Sequence, residues 1–165
     1  MGTAIELTSP DGFRLSAYRA EPAGTPRGGL VVVQEIFGVN AHIRSVCDGY
    51  AADGYLAVAP ALFDRYQRGV DWGYSPEDIA RGREVRAQAD AAAALMDIVA
   101  ARDAAAKAGP VGIVGYCWAA SSPGSPPRAS TASRARSPTT AAACPTRQAS
   151  SRAARCSRTS ASRTR

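Results

Sequence analysis

Pro110-Val111-Gly112-Ile113-Val114-Gly115-Tyr116-Cys117-Trp118 runs from an unbroken apolar stretch straight into Gly-x-Cys-x. A short apolar run without polar alternation suits a strand buried on both faces, as in a parallel sheet. The Gly-Tyr-Cys-Trp that ends it matches the strained strand-to-helix turn Gly-x-Ser-x-Gly, with cysteine in place of serine. Such a turn lifts a nucleophile above the end of the sheet, and small flanking residues let the backbone crowd the next helix. Cys117 is therefore the candidate nucleophile, and the backbone N–H of Trp118 a candidate oxyanion donor. A free cysteine alone is more often a small buried hydrophobe. The buried-type strand in front of it favours the nucleophile.

Working towards the N-terminus, other segments fit the same architecture. Tyr55–Pro60 reads as a short strand, and Leu30-Val31-Val32-Val33 as a second buried one. Between them Asn40 is an N-cap candidate, with Ile43, Val46, Cys47, Tyr50 and Ala51 on one helical face up to Gly54. Ala4–Thr8 and Phe13–Arg19 alternate apolar and polar around Ser9-Pro10-Asp11-Gly12, a hairpin signal. Ser75-Pro76-Glu77-Asp78 starts a helix, with a capping serine, proline at the first position and acids in the first turn. The Ala-rich stretch that follows predicts one helix to about Lys107, with Ile79, Leu95, Met96 and Val99 towards the core. Strand and helix alternate, so an α/β fold with a parallel sheet is expected.

Three segments, in this order and spacing, carry a specific resemblance: Gln34-Glu35-Ile36-Phe37-Gly38-Val39-Asn40, Asp53-Gly54-Tyr55 with Ala59-Pro60, and Gly115-Tyr116-Cys117-Trp118. Over residues 1–118 the chain resembles the dienelactone hydrolase family, also called carboxymethylenebutenolidases. The resemblance implies the N-terminal half of an α/β-hydrolase fold, a mostly parallel sheet with flanking helices. It implies a cofactor-free hydrolase of lactones or activated esters that uses a Cys-His-Asp triad. By the same resemblance Cys117 is the nucleophile and Glu35 the buried carboxylate that helps activate it. A carboxylate beside a thiol raises its pKa and can accept its proton, so the pair is chemically coherent. The N–H of Ile36 corresponds to the second oxyanion donor, beside that of Trp118. Arg81 or Arg83 corresponds to the arginine that holds a substrate carboxylate. Arg81 could equally pair with Asp78 on the helix surface.

The resemblance stops at Trp118. The family continues with Gly-Gly, whereas this chain has Ala119-Ala120, which two glycine codons read one base out of frame would give. Residues 119–165 hold nine arginines, no acid, no histidine and no large apolar residue. They offer no apolar surface to offset the entropy of ordering, and a disordered basic tail is expected. The net charge of +6 belongs to this tail, because residues 1–118 carry 11 basic and 14 acidic side chains. The tail is read chiefly as out-of-frame sequence; a nucleic-acid-binding arm or a plain linker are the alternatives.

The triad Asp and His are then missing. The only histidine, His42, is expected to be a partly exposed helix residue near the wrong end of the sheet order to act as base. Without the later strands, the sheet would expose an apolar face and an unpaired edge. An inactive chain, insoluble or only partly folded, is expected. Cysteine and histidine spacing suggests no metal site, and Cys47, Cys117, Cys144 and Cys156 read as free thiols. No basic-then-apolar leader follows Met1 and no apolar run is membrane-spanning, so a cytoplasmic protein is expected.

Overall fold

A computed structural model describes residues 1–116; Cys117, Trp118 and the segment 119–165 lie outside the described residues. Strands β1 (Thr3–Thr8) and β2 (Arg14–Ala20) form the expected hairpin, in the register Thr3↔Arg19 to Thr8↔Arg14. β3 (Gly29–Val33), β4 (Leu56–Pro60) and β5 (Val111–Gly115) are the three apolar runs. The sheet order is β1-β2-β4-β3-β5. β2 pairs antiparallel with β4, whereas β3 lies parallel to both β4 and β5, so the sheet is mixed.

Helices cover both faces, and the period-2 alternation of the strands assigns each residue to one of them. Helix α1 (Ala41–Ala52) buries Ile43, Cys47 and Ala51 against Val32, Ala57 and Ala59. Its N-cap is Asn40, whose side chain accepts the Ile43 N–H at 3.2 Å. On the other face Val31, Val33 and Val58 meet Ala100, Ala101 and Ala105.

The single helix expected from Ser75 to Lys107 is instead two. Helix α2 (Pro76–Gln88) has Ser75 as its cap, and α3 (Ala91–Ala105) starts afresh. Ala89 is extended, and Asp90 caps α3 by accepting the Ala93 N–H at 2.7 Å. Tyr66 fixes the break by accepting the Asp90 N–H at 2.7 Å. A good cap on the second segment outcompetes continuous helix, although both flanks are strong helix formers.

The expected core face is also corrected. Leu95 is 60% exposed, and α3 faces the sheet with its alanines and the buried Asp97. Small side chains let the helix approach the sheet closely, and a leucine on that face would hold it off. Among the described residues no helix is long and apolar enough to cross a membrane.

Candidate active site

The C-terminal ends of β3 and β5 stand side by side. Val33 is paired with Gly115, and the Tyr116 N–H donates to the Val33 carbonyl at 3.3 Å. Glu35 follows β3 by two residues; in sequence, Cys117 follows Tyr116 by one. Cys117 and Trp118, the candidate nucleophile and oxyanion donor, lie outside the described residues.

The loop carrying Glu35 and Ile36 is held from several sides. Gln34 is fully buried; its Oε1 accepts the Leu62 N–H at 3.0 Å and its Nε2 donates to the Glu35 carbonyl at 3.2 Å. Gly38 sits at φ +81°, and a Cβ there would collide with the Val70 carbonyl, so only glycine fits this turn. The Trp72 N–H reaches the Phe37 carbonyl at 3.0 Å, and the Asn40 Nδ2 donates to the Trp72 carbonyl at 3.0 Å. Arg44 ties Val39 to Asp71, donating to the carbonyl of one and the carboxylate of the other at 2.7 and 2.9 Å. The segment around 70–74 is thus stitched along the loop that bears Glu35.

Glu35 itself is half-buried, and its Oε2 accepts from the Tyr74 hydroxyl at 2.8 Å. Burial, and then this hydrogen bond, push the Tyr74 phenol above its ordinary pKa. Its ring meets Phe37 edge-on, with centroids 4.5 Å apart. Sequence reading does not single out Tyr74, which stands in no motif; Gln34 stands in the Gln34–Asn40 segment, but nothing local assigns it a role. Their contacts span loops that only the folded chain brings together.

Arg81 and Arg83 are exposed on α2, on either side of Gly82. A Cβ at Gly82 would collide with the Ile36 carbonyl, so α2 touches the candidate oxyanion loop between the two arginines. Arg81 pairs with Glu77 at 2.7 Å rather than with Asp78, whose carboxylate takes the Ser75 hydroxyl at 2.9 Å. Both arginines remain candidates for holding a substrate carboxylate.

His42 is placed differently from the expectation. It is exposed on the first turn of α1, yet its ring stands 6.2 Å from that of Tyr116, nearly perpendicular to it. A helix that follows a parallel strand begins at that strand's C-terminal end. His42 is therefore at the functional end of the sheet. Tyr116 lies with its hydroxyl 3.4 Å from that of Tyr50, and burial and this contact push its phenol up to about 12.

Cys47, the described free cysteine, lies buried under the sheet on α1, where burial pushes its thiol up to about 12. Iodoacetamide at about neutral pH should leave it unmodified in the folded chain and alkylate it in denaturant, since only the thiolate reacts. Rapid native labelling, read by peptide mass, would contradict this burial. Stability should also fall as pH rises from about 9 towards 12. An unfolded thiol ionises in that range, while the folded one holds its proton, so alkali favours the unfolded chain. A urea midpoint that stays flat across that window would contradict it.

No group of three or more His, Cys, Asp or Glu side chains among the described residues could hold a metal ion.

A mixed sheet with the order β1-β2-β4-β3-β5, flanked by helices and carrying its loops at the C-terminal ends of β3 and β5, defines an α/β hydrolase fold. The sequence profile of the dienelactone hydrolase family matches residues 15–122, and the chain belongs to that family. A protein from Synechocystis sp., provisionally named carboxymethylenebutenolidase, is 40% identical over 122 residues, covering 70% of this chain and 50% of its own length. The carboxymethylenebutenolidase of Pseudomonas putida is 36% identical over 121 residues, covering 68% and 50%. A crystal structure from Klebsiella pneumoniae, provisionally described as a dienelactone hydrolase, superposes with a TM-score of 0.58 at 34% identity, covering 72% of this chain and 51% of that one. The chain spans about half the length of these relatives.

Proposed function

We propose that residues 1–118 are the nucleophile-bearing half of a hydrolase that acts on lactones or activated esters by acyl transfer to Cys117. The observation that carries this reading is the junction of β3 and β5, which sets the Glu35 loop beside the strand that leads into Gly-Tyr-Cys-Trp. In the proposed step the Cys117 sulfur bonds to the acyl carbon, the carbon–oxygen bond breaks, and the departing oxygen takes a proton. Water then attacks the thioester, releasing the acid and returning the thiol. Glu35 accepts the thiol proton, and the N–H groups of Ile36 and Trp118 receive the negative charge on the carbonyl oxygen. Arg81 or Arg83 holds a carboxylate on the substrate, and the acyl transfer needs no cofactor.

In this reading residues 119–165 are out-of-frame sequence, and these 165 residues alone do not turn over, because residues 118–165 hold neither the triad Asp nor the His. Among the described residues β5 is an edge strand, and Val111 to Gly115 are half-buried whereas every residue of β4 is buried, which favours self-association. The test is to restore the frame after Trp118, so that Gly-Gly and the Asp- and His-bearing continuation return, and to assay hydrolysis of an enol-lactone bearing a carboxylate. Turnover that disappears in Cys117→Ala is expected. A folded, repaired chain without activity, or activity that survives Cys117→Ala, would overturn the reading.

The arginine-only charge of 119–165 favours one other reading, a nucleic-acid-binding arm on a retired scaffold. Binding to DNA or RNA that weakens steeply with salt and vanishes on deletion of residues 119–165 would support it.

A further inference from the structure

We infer that Tyr74 is a positioning residue for Glu35: its hydroxyl holds one carboxylate oxygen and so fixes the carboxylate of the proposed base. The inference rests on the reading of Glu35 and Cys117 as partners. Three observations place Tyr74 for this role. Its hydroxyl donates to the Glu35 Oε2 at 2.8 Å. Its ring is fixed edge-on against the buried Phe37, two residues beyond Glu35. Its backbone belongs to the segment tied to the same loop through Trp72, Asp71 and Asn40. A half-exposed glutamate without such a partner would sample several rotamers, and ordering it would cost entropy at each encounter.

The other charged groups near the loop are engaged elsewhere or stand on α2. Arg44 holds Asp71, Arg81 holds Glu77, and Asp78 accepts from Ser75. Arg83 is exposed one residue past the Gly82 contact. Tyr74 is itself 56% exposed, so its ring has no core to support and its hydroxyl can be removed without opening a cavity.

The test follows alkylation of Cys117 by iodoacetamide across pH, in the full chain at low concentration, read by peptide mass. A negative neighbour suppresses the thiolate, so Glu35→Gln should speed Cys117 alkylation near neutral pH by about 5-fold. Tyr74→Phe, which keeps the ring, should act in the same direction by about 2-fold and add nothing on the Glu35→Gln background. An additive effect in the double variant, or none in Tyr74→Phe while Glu35→Gln has one, overturns the inference. If Glu35→Gln leaves Cys117 unchanged, the inference fails together with the partnership it rests on. Titration of the Tyr74 phenol by ring-selective NMR tells where the failure lies. A phenol that titrates lower in Glu35→Gln shows that the hydrogen bond stands and that the pairing with Cys117 was the error.

Discussion

The 165-residue chain should hydrolyse an activated ester or enol-lactone at least ~10⁴-fold more slowly than the frame-repaired chain. In a triad the base takes the nucleophile's proton and later activates water against the acyl-enzyme, and the orienting carboxylate holds that base in place. Residues 118–165 contain no Asp, Glu or His to do either. In the proposed step Glu35 takes the thiol proton, but it is not the base that delivers water to the thioester. His42 stands at the correct end of the sheet, yet it is exposed against Tyr116, and among the described residues no carboxylate pairs with its ring. Steady release of p-nitrophenol from an ester, followed for both chains at equal folded concentration, measures the gap. Rates within tenfold of each other would show that the missing residues are not needed.

The largest expected loss of stability comes from Asp97. This carboxylate is fully buried on α3 and grips Arg65 with both oxygens, Nε at 2.8 Å and Nη2 at 2.7 Å, while the Ser9 hydroxyl donates to the same group. Arg65 also reaches Asp11 at 2.8 Å and lies 4.3 Å over the Phe13 ring. The network locks the β1–β2 turn and the loop after β4 onto α3, and it holds Arg65 above its ordinary pKa and Asp11 below its own. Asp97→Ala leaves the largely buried guanidinium and a buried hydroxyl without their main partner. About 3–5 kcal/mol of unfolding free energy should be lost, a large share of a domain's usual ~5–15 kcal/mol. Asp11→Ala, at the solvent end of the same network, should shift the midpoint far less, because water screens its pairing with Arg65. Urea unfolding followed by far-UV circular dichroism compares them, and near-equal midpoints for the two variants would show that burial of Asp97 is not what matters.

Much of the fold is legible because it is written locally. The hairpin around Ser9–Gly12, the apolar runs of β3, β4 and β5, and the caps Asn40 and Ser75 each follow from neighbouring residues, and the structure has them where those residues put them. The break at Ala89-Asp90 is harder to read. Aspartate before an alanine run is a cap signal, but the run on either side has enough helical propensity to hide it. Leu95 misleads because hydrophobicity says what a side chain prefers, not which face of the helix it occupies. Tight packing gives the inner face of α3 to alanine. The place of His42 follows from strand direction, which is fixed only when β3, β4 and β5 are seen to run parallel. The Glu35 loop is legible through its motif. Its supports, Gln34 on Leu62 and Tyr74 on Glu35, join residues 28 and 39 positions apart, and no local pattern records them.

The proposal that Cys117 is the nucleophile of a hydrolase scaffold is tested most directly by mass spectrometry of the full chain after exposure to a p-nitrophenyl ester. The expected result is a single acyl group on the peptide carrying Cys117, persistent over time because no base delivers water to it, and absent in Cys117→Ala. An acyl group that appears on Cys144 or Cys156 as fast as on Cys117, or never on Cys117, would contradict it.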